Sequence, residues 1–288
     1  MFKLEISSVL AFFRRFYIYF LLILIYVPLI FIVLLSFNGQ SVRGNIILDF
    51  NNGLTGENWI SLFTDTSSDG FLVNLLNSFL VVILVMPVSV IVGLLTAFGM
   101  WNSKSKTRNI ARIASTTNIS IPDIIAGISL SLLFTIIWLP LGLNYGYATV
   151  VISHISFCIP YAIVAIYPRM ASLNRNLINA SNDLGASKLK TFFKVVVPHV
   201  YPSIIAAAII VTAISFDDFV ITLLVSGNFR TIATKIYLSS RGIKAWIVTF
   251  GALLVILFIV GTFILAAIKI FKVKHKNRTN LKLHEKNN

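Results

Sequence analysis

The feature that most constrains this chain is a series of long segments without any charged residue. Phe16 to Phe37 contains none, and none occurs between Asp123 and Arg169. A helix needs about 20 mostly apolar residues to cross a bilayer, where the backbone polar groups must bond to one another because no water is present. The sequence therefore predicts an all-α membrane protein.

The composition agrees with this prediction. Hydrophobic residues occupy 57% of the 288 positions, charged residues occupy 12%, and the mean hydropathy is +0.88. A soluble domain averages about 25% charged residues, so this chain has half the charge of an ordinary water-facing protein. The single cysteine, Cys158, lies in an apolar segment and has no partner for an internal disulfide, so we expect it to act as a small hydrophobic residue.

Six membrane spans account for the uncharged segments. Pro122-Asp123 interrupts the third span, and turn residues between Pro140 and Gly146 separate the third from the fourth. Arg14 and Arg15 precede the first span as in a signal peptide, but no short apolar core with a small-residue cleavage site follows, so we interpret this span as retained. The predicted spans are residues 16–37, 72–101, 113–139, 147–168, 200–225 and 245–268.

Lysine and arginine residues orient these spans, because short cytoplasmic loops are enriched in them. They are concentrated in the N-terminus 1–15, in the loops after the second and fourth spans, and in the tail 269–288. With six spans all four segments lie on one face, which predicts a multi-pass protein of the bacterial cell membrane with both termini in the cytoplasm. The first loop on the other face is acidic and contains Asp49, Glu57, Asp65 and Asp69 against Arg43.

One loop does not follow this pattern. Four basic residues lie between the fifth and sixth spans, on the predicted outer face: Arg230, Lys235, Arg241 and Lys244. Placing them inside would require an odd number of spans before them, and no segment between Pro198 and Arg230 supports an additional one. We therefore keep six spans and treat this loop as an exception.

The net charge of +14 raises the question of a nucleic acid partner. The basic residues flank the spans, however, and do not alternate with exposed aromatic residues on a soluble domain. Anionic lipid near the membrane surface explains them better. We therefore expect the lipid bilayer, and not nucleic acid, as their partner.

The predicted cytoplasmic loop between the fourth and fifth spans, residues 172–198, has the pattern of an amphipathic helix-turn-helix. Gly185 is placed to end the first helix, and Pro198 follows the second. Two apolar stripes recur at helical spacing, one formed by Leu173, Leu177, Ala180 and Leu184 and one by Leu189, Phe192, Phe193 and Val196. From the residues alone, an ordinary interfacial connector explains this pattern as well.

The stretch NASNDLGASKLKTFFKVVVPH, residues 179–199, resembles the Glu-Ala-Ala loop of ABC importer permeases. In that family the triplet is followed by a Gly and, thirteen residues later, by a Pro, and the loop forms a coupling helix that docks into a groove on the cytoplasmic ATPase. Asn179 and Ser181 here replace the family's Glu and second Ala. The resemblance implies an ATPase-coupling role for Asn179, Ala180, Asp183, Leu184, Gly185 and Pro198.

The resemblance extends over nearly the whole chain and is greatest to the second permease subunit of spermidine/putrescine importers. It implies a path for a polyamine that works by alternating access, together with a second homologous permease subunit, two copies of a cytoplasmic ABC ATPase and an external polyamine-binding protein as partners. One departure is Lys244-Ala245-Trp246, where that family often has Ser-Pro-Glu. The matching segments are YVPLIFIVLLSFN (26–38), Asn58-Trp59, Asn77-Ser78, IPDIIAGISL (121–130), SHISFCIPYAIVAIYPRM (153–170), SFDDFVITLLVSG (215–227) and KIYLSSRGI (235–243).

The sequence lacks the motifs of an enzyme. It contains no phosphate-binding GxxxxGK[ST] segment, so we expect a partner chain to hydrolyse ATP. It also shows no nucleophile with a matching base, and we predict no cofactor. The four histidines have no metal-ligand spacing, so we interpret them as packed or solvated side chains: His154, His199, His275 and His284.

Three acids lie inside predicted spans: Asp123, Asp217 and Asp218. A charge at mid-bilayer costs at least about 2.5–3.5 kcal/mol, so such residues normally face a bundle interior or a water-filled path. Carboxylates along a path would pair with the ammonium groups of a polyamine once these lose water. The alternative is a structural acid that caps a broken helix or bonds to a neighbouring span, above all for Asp123, which follows Pro122.

Two other functions stay open. The same machinery would serve another small solute, such as an iron chelate or an amino acid. An ion-coupled secondary transporter would use the acids as a proton relay, and that class often contains internal repeats. The sequence shows no clear halves, and a proton relay has no use for the spacing of Gly185 and Pro198.

Overall fold

A computed structural model describes residues 2–49, 53–65, 67, 70–239 and 242–286, with side chains described only between 16 and 271. Within these residues the fold is all-α, as predicted, and extended pairing is limited to two isolated bridges. The helices are α1 (Phe2–Leu35), α2 (Glu57–Thr64), α3 (Phe71–Asn102), α4 (Ser105–Ser120), α5 (Asp123–Ile137), α6 (Tyr147–Ala171), α7 (Arg175–Asp183), α8 (Lys188–Thr191), α9 (Val197–Asp217), α10 (Val220–Val225), α11 (Ile232–Leu238) and α12 (Ala245–Lys286).

Six helical segments are long and apolar enough to cross a membrane, which confirms the predicted number of spans among the described residues. Large apolar side chains remain exposed along them, for example Ile83 at 62% and Phe263 at 72%. A continuous apolar surface is unusual in water but is what lipid requires. The segments are Phe16–Leu35, Phe71–Asn102, Asp123–Leu141, Tyr147–Ala171, Lys188–Asp217 and Ala245–Phe271.

The chain divides into two compact units, and α3, α6 and α9 form the core of the unit Ser67–Leu238. Helices α3 and α6 approach closely because Gly93 faces Ala162, so that a Cβ on Gly93 would lie 2.6 Å from the Ala162 Cβ. Small residues allow such close approach between membrane helices, where van der Waals packing replaces the hydrophobic effect as the force that joins them.

The third predicted span, 113–139, is divided into two helices. Helix α4 ends at Ser120 and α5 begins at Asp123, while Ile121 between them is extended, with ψ 129°. Pro122 causes the break because it disfavours a helical conformation at the residue before it. Helix α4 is polar, so the apolar segment begins at Asp123 and not at 113.

The fifth predicted span, 200–225, is also divided. Helical structure runs from Lys188 to Asp217, with a π-helical turn at Phe192–Val196, and then stops at Asp218, whose ψ is 123°. The six residues of α10 rise only about 9 Å, whereas the hydrocarbon core is about 30 Å thick. Helix α10 therefore adds no span, and the number of spans stays even.

The second unit consists of Met1–Thr66 and Ser239–Asn288, in which α1 packs against α12. Gly251 of α12 faces α1, and a Cβ there would lie 2.8 Å from Ile32 Cδ1. The loop after α1 is held by the buried Asn58, whose Nδ2 donates to the carbonyl oxygens of Ser36 and Asn38. This bonding satisfies backbone groups where the chain leaves the span.

Candidate functional site

The three predicted acids line one pocket in the unit Ser67–Leu238. The pocket has a volume of about 270 Å³ and lies among α5, α6, α9 and the link to α10. Each acid lies at a helix end: Asp123 begins α5, Asp217 ends α9, and Asp218 follows it. The helix breaks therefore bring together carboxylates that are far apart in the sequence. The pocket is lined by Asp123, Phe157, Tyr161, Ile214, Asp217, Asp218, Phe219 and Val220.

Asp218 is the structural acid of the three. Its carboxylate accepts the backbone N–H groups of Ile221 and Thr222 at 3.3 and 2.9 Å, and the Thr222 hydroxyl at 2.8 Å. A carboxylate at a helix start satisfies N–H groups that have no partner within the helix and interacts favourably with the positive end of its dipole. Asp218 therefore caps α10, and its side chain is only 7% exposed.

His154 of α6 joins Asp218 to two further side chains. Its Nδ1 lies 2.8 Å from Ser215 Oγ, and its Nε2 lies 2.9 Å from Thr222 Oγ1 and 3.3 Å from Asp218 Oδ2. The His154 side chain is fully buried, where a polar group is costly unless it is hydrogen-bonded. The network links α6, α9 and α10 across the break. Sequence analysis missed it, because His154 has no sequence neighbour that indicates a partner.

Asp123 and Asp217 are the accessible carboxylates of the pocket. Both are exposed, and neither accepts a hydrogen bond or forms a salt bridge within the described part of the chain. Asp217 lies at the C-terminus of α9, where unpaired carbonyl groups carry partial negative charge. The C-terminal end of α9 therefore adds to the negative potential of the Asp217 carboxylate and does not offset it. This part of the pocket is suited to a cation.

Three aromatic side chains complete the pocket: Phe157, Tyr161 and Phe219. The Phe157 ring packs edge-on against His154, with centroids 5.1 Å apart, and Phe219 stacks on Tyr237 at 4.6 Å. Aromatic faces attract cations, most strongly away from water. The four-residue spacing of Phe157 and Tyr161 was a signal in the sequence, but in a span that is apolar on every side it does not distinguish a pocket from lipid contact.

The predicted helix-turn-helix between the fourth and fifth spans is present as α7 and α8. Helix α7 ends at a left-handed Gly185, with φ 77°. The Gly185 N–H donates to the Asn182 carbonyl at 2.8 Å, and the Ala186 N–H donates to the Ser181 carbonyl at 3.1 Å. This pair of bonds is a Schellman motif, whose left-handed position favours glycine. The prediction that Gly185 ends the helix is confirmed.

The residues predicted to couple to an ATPase lie around this turn. Asn179, Ala180 and Asp183 are exposed on α7, and Leu184 after it is 88% exposed. Pro198 lies in the first turn of α9, where its missing N–H is tolerated. It is roughly 28 Å along that helix from Asp217, so this set and the acid pocket occupy opposite ends of α9.

The first predicted apolar stripe does not form one buried face. Leu173 is 4% exposed and packs into the core, whereas Leu177 and Leu184 are 51% and 88% exposed. Leu173 lies between α6 and α7, whereas Leu177 is in α7 and Leu184 directly follows it. The side chains of Leu177 and Leu184 are therefore available to contact another surface.

The other predicted features that the structure describes lie outside the acid pocket and the α7–α8 segment. Cys158 is fully buried in the core of its unit. No group of three His, Cys, Asp or Glu side chains with a metal-binding arrangement occurs among the described residues. In the exceptional basic loop, Lys244 Nζ donates to the Arg43 carbonyl oxygen at 2.8 Å. Asp69, Arg241 and the side chains of His275 and His284 lie outside the described residues.

Six candidate spans with carboxylates in a pocket among them are an arrangement typical of membrane transport proteins. Residues 57–275 match the family described as the binding-protein-dependent transport system inner membrane component. The chain belongs to this family, whose members are membrane components of importers.

Two individual relatives agree with the family. A Mycoplasma pneumoniae protein named spermidine/putrescine transport system permease protein PotC homolog is 43% identical over 262 residues, which cover 91% of this chain and 92% of that protein. PotC of Escherichia coli strain K12, a spermidine/putrescine transport system permease protein, is 27% identical over 214 residues, or 74% of this chain and 76% of that protein.

The fold is similar to that of a bacterial ABC transporter involved in importing the acidic polysaccharide alginate. The TM-score is 0.64 at 12% identity, and the alignment covers 92% of this chain and 97% of that chain. At this level of identity the likeness concerns the fold alone.

Proposed function

We propose that this chain is one permease subunit of an ATP-driven importer and forms part of the membrane path for the polyamines spermidine and putrescine. The observation that carries the proposal is the pocket in which Asp123 and Asp217 adjoin Phe157, Tyr161 and Phe219. The names of the relatives support the same cargo.

The chemistry of the pocket is that of a site for an organic cation. A polyamine carries several ammonium groups separated by short methylene chains. Two accessible carboxylates would pair with ammonium groups, and aromatic faces would cover the methylene segments and add cation–π attraction. Asp218 is already bonded to Thr222 and His154, so its contribution is to hold the walls of the pocket in place.

A transport path must also release its cargo. Pockets that enclose a small ligand have volumes of about 300–1,000 Å³, and this pocket, at about 270 Å³, lies just below that range. Both carboxylates are exposed and therefore partly solvated, which weakens each ion pair. The pocket is thus better suited to brief, weak binding of the cargo during transport than to tight binding.

The segment between α7 and α8 is the proposed contact with the ATPase. Leu184 is 88% exposed and lies outside the spans, and an apolar side chain this exposed in such a place favours a protein partner. The Schellman turn at Gly185 keeps Leu184 at the tip. Because α9 joins this segment to Asp217, a movement of the ATPase would reach the pocket through one helix.

The family description, a binding-protein-dependent transport system, supports the remaining partners. We propose two copies of a cytoplasmic ABC ATPase, a second homologous permease subunit and an external polyamine-binding protein. The sequence contains no phosphate-binding GxxxxGK[ST] motif, which supports an ATPase on a partner chain.

The proposed orientation has both termini and the α7–α8 segment in the cytoplasm. It rests on the distribution of lysine and arginine and on an even number of spans. Helix α10 is too short to cross the bilayer, so it does not reverse the side on which the loop after Gly227 lies.

Uptake in reconstituted vesicles tests the proposal. Vesicles that contain this chain with its partner permease and ATPase receive external binding protein and labelled spermidine. We expect uptake to require ATP on the side of the membrane where the ATPase is exposed. Unlabelled putrescine should compete with the labelled spermidine, and a protonophore should not stop uptake.

Three results would count against it. Uptake driven by a proton gradient without ATP would indicate an ion-coupled secondary transporter. Competition by an amino acid or an iron chelate, but not by putrescine, would indicate another solute. Undiminished uptake by a chain with Asn at both Asp123 and Asp217 would remove the pocket from the path.

A further inference from the structure

A groove beside the α7–α8 segment is separate from the acid pocket. It has a volume of about 620 Å³ and lies between the last turns of α3 and the segment formed by α7, α8 and the π-helical turn. Its apolar lining includes Leu95, Phe98, Phe192 and Phe193. The size falls within the range of about 300–1,000 Å³ that is usual for small-ligand sites.

Two basic side chains line this groove, and no carboxylate does so among the described residues. The Arg175 guanidinium lies 5.1 Å from the centre of the Trp101 ring, and its Nη2 donates to the Trp101 carbonyl at 3.4 Å. A guanidinium has five N–H donors, so most remain available to an anion. Lys188 is exposed and adds a second positive charge.

The groove joins the membrane-spanning surface to these basic groups. Leu95 and Phe98 belong to the last turns of a span that ends at Asn102, and Leu95 is 54% exposed. The π-helical turn Phe192–Val196 contributes two adjacent phenylalanines to the groove, and such turns often occur at functional sites. An apolar slot with a basic rim at the end of a span has the charge and polarity of an anionic lipid site.

We infer that the groove binds one anionic phospholipid, with its phosphate on Arg175 and Lys188 and an acyl chain against Phe98, Phe192 and Phe193. Of the residues assigned to ATPase coupling, Asn179 lines the groove, whereas Leu184, the exposed tip of the turn, and the other four do not, so the groove and the ATPase contact are largely separate surfaces. The lipid would bridge α3 and α7 and so hold the coupling segment against the core. This inference does not depend on the transported solute.

Native mass spectrometry of the full-length chain tests the inference. Delipidated protein is titrated with an equal mixture of phosphatidylglycerol and phosphatidylcholine. We expect one phosphatidylglycerol to be retained in preference to phosphatidylcholine. Arg175→Gln with Lys188→Gln should weaken retention roughly 30-fold, since each basic residue near a membrane surface contributes a factor of about five. Lys106→Gln, an exposed charge on α4 outside the groove, is the matched control.

A second measurement locates the lipid. In a chain with Trp59→Phe, Trp138→Phe and Trp246→Phe, Trp101 is the remaining tryptophan, and its fluorescence reports on the groove. Phosphatidylglycerol with brominated acyl chains should quench its fluorescence, and Arg175→Lys should preserve most of the effect. Equal retention of both lipids, retention unaffected by the double substitution, or loss of the bound lipid when the ATPase is added would each overturn the assignment.

Discussion

The Nε2 of His154 lies 3.3 Å from the Oδ2 of Asp218, and both side chains are almost fully buried. Thr222 shares this contact, because its hydroxyl lies 2.9 Å from the same nitrogen and 2.8 Å from the same carboxylate. The adjacent acid, Asp217, is exposed and has no bonded partner within the described residues. Two neighbouring aspartates therefore have different environments, and their substitutions should have different effects.

Asp217→Asn should lower polyamine uptake tenfold or more while the complex still assembles. The substitution keeps the size of the side chain and removes a charge whose interaction with a cation is worth about 1.5–3 kcal/mol. Spermidine uptake by reconstituted vesicles measures the loss. Normal uptake at normal assembly would show that this carboxylate is not on the path.

Asp218→Asn should mainly lower stability, by about 1–3 kcal/mol, because the amide cannot accept all the bonds that the carboxylate accepts from Ile221, Thr222 and His154. Thermal unfolding in detergent measures this change, and His154→Phe should show a loss of similar size. If Asp218→Asn leaves the melting temperature unchanged while uptake falls, Asp218 meets the cargo instead of holding α10.

Leu184→Asp should abolish co-purification with the ATPase and leave membrane insertion intact. Leu184 is 88% exposed, so the change does not disturb the core, while it places a charge in the proposed apolar contact. Asn109→Asp, at an exposed position on α4, adds the same charge and serves as the control. Gly185→Pro should act in the same way, because proline cannot adopt φ 77°. Full recovery of the ATPase with Leu184→Asp would contradict the docking surface.

Cysteine labelling tests the orientation of the spans. Asn228→Cys should react with an impermeant reagent added outside the cell, whereas Ser187→Cys should react only after the cytoplasmic side is opened. Both positions are exposed, and the native Cys158 is fully buried and should stay silent. Ser240, a further position in the same outer loop, lies outside the described residues. The reverse pattern would invert the topology.

Gly93→Ala should destabilise the protein by about 1–3 kcal/mol, the usual cost of overpacking. The added Cβ would lie 2.6 Å from the Ala162 Cβ and 3.2 Å from the Ala162 carbonyl carbon, and a backbone atom cannot rotate away. In Gly99→Ala, in the same helix, the added Cβ would have no atom within 4 Å apart from its own helix backbone. This substitution should be neutral or stabilising, because alanine favours helix. Melting temperatures compare the two variants. Equal values would show that α3 and α6 do not pack closely at Gly93.

The sequence by itself determined the class of protein and the position of its local signals. Six long apolar segments predict six spans, since a stretch of about 20 mostly apolar residues matches the thickness of the hydrocarbon core. Gly185 ends α7 for a local reason, its left-handed backbone, and Pro122 breaks the third span for another. Such features depend on neighbours within a few residues.

Only the tertiary structure decided what each acid does. Asp217 and Asp218 are equivalent in sequence, and their difference arises from where α9 stops and which way each side chain then points. His154 reaches Asp218 because α6 packs beside α9, and the same packing brings Phe157 and Tyr161 to Asp217. Asp123 joins them because α5 packs against α10. In a span that is apolar all round, periodicity does not mark the inward face, so contacts between distant segments follow from helix packing alone.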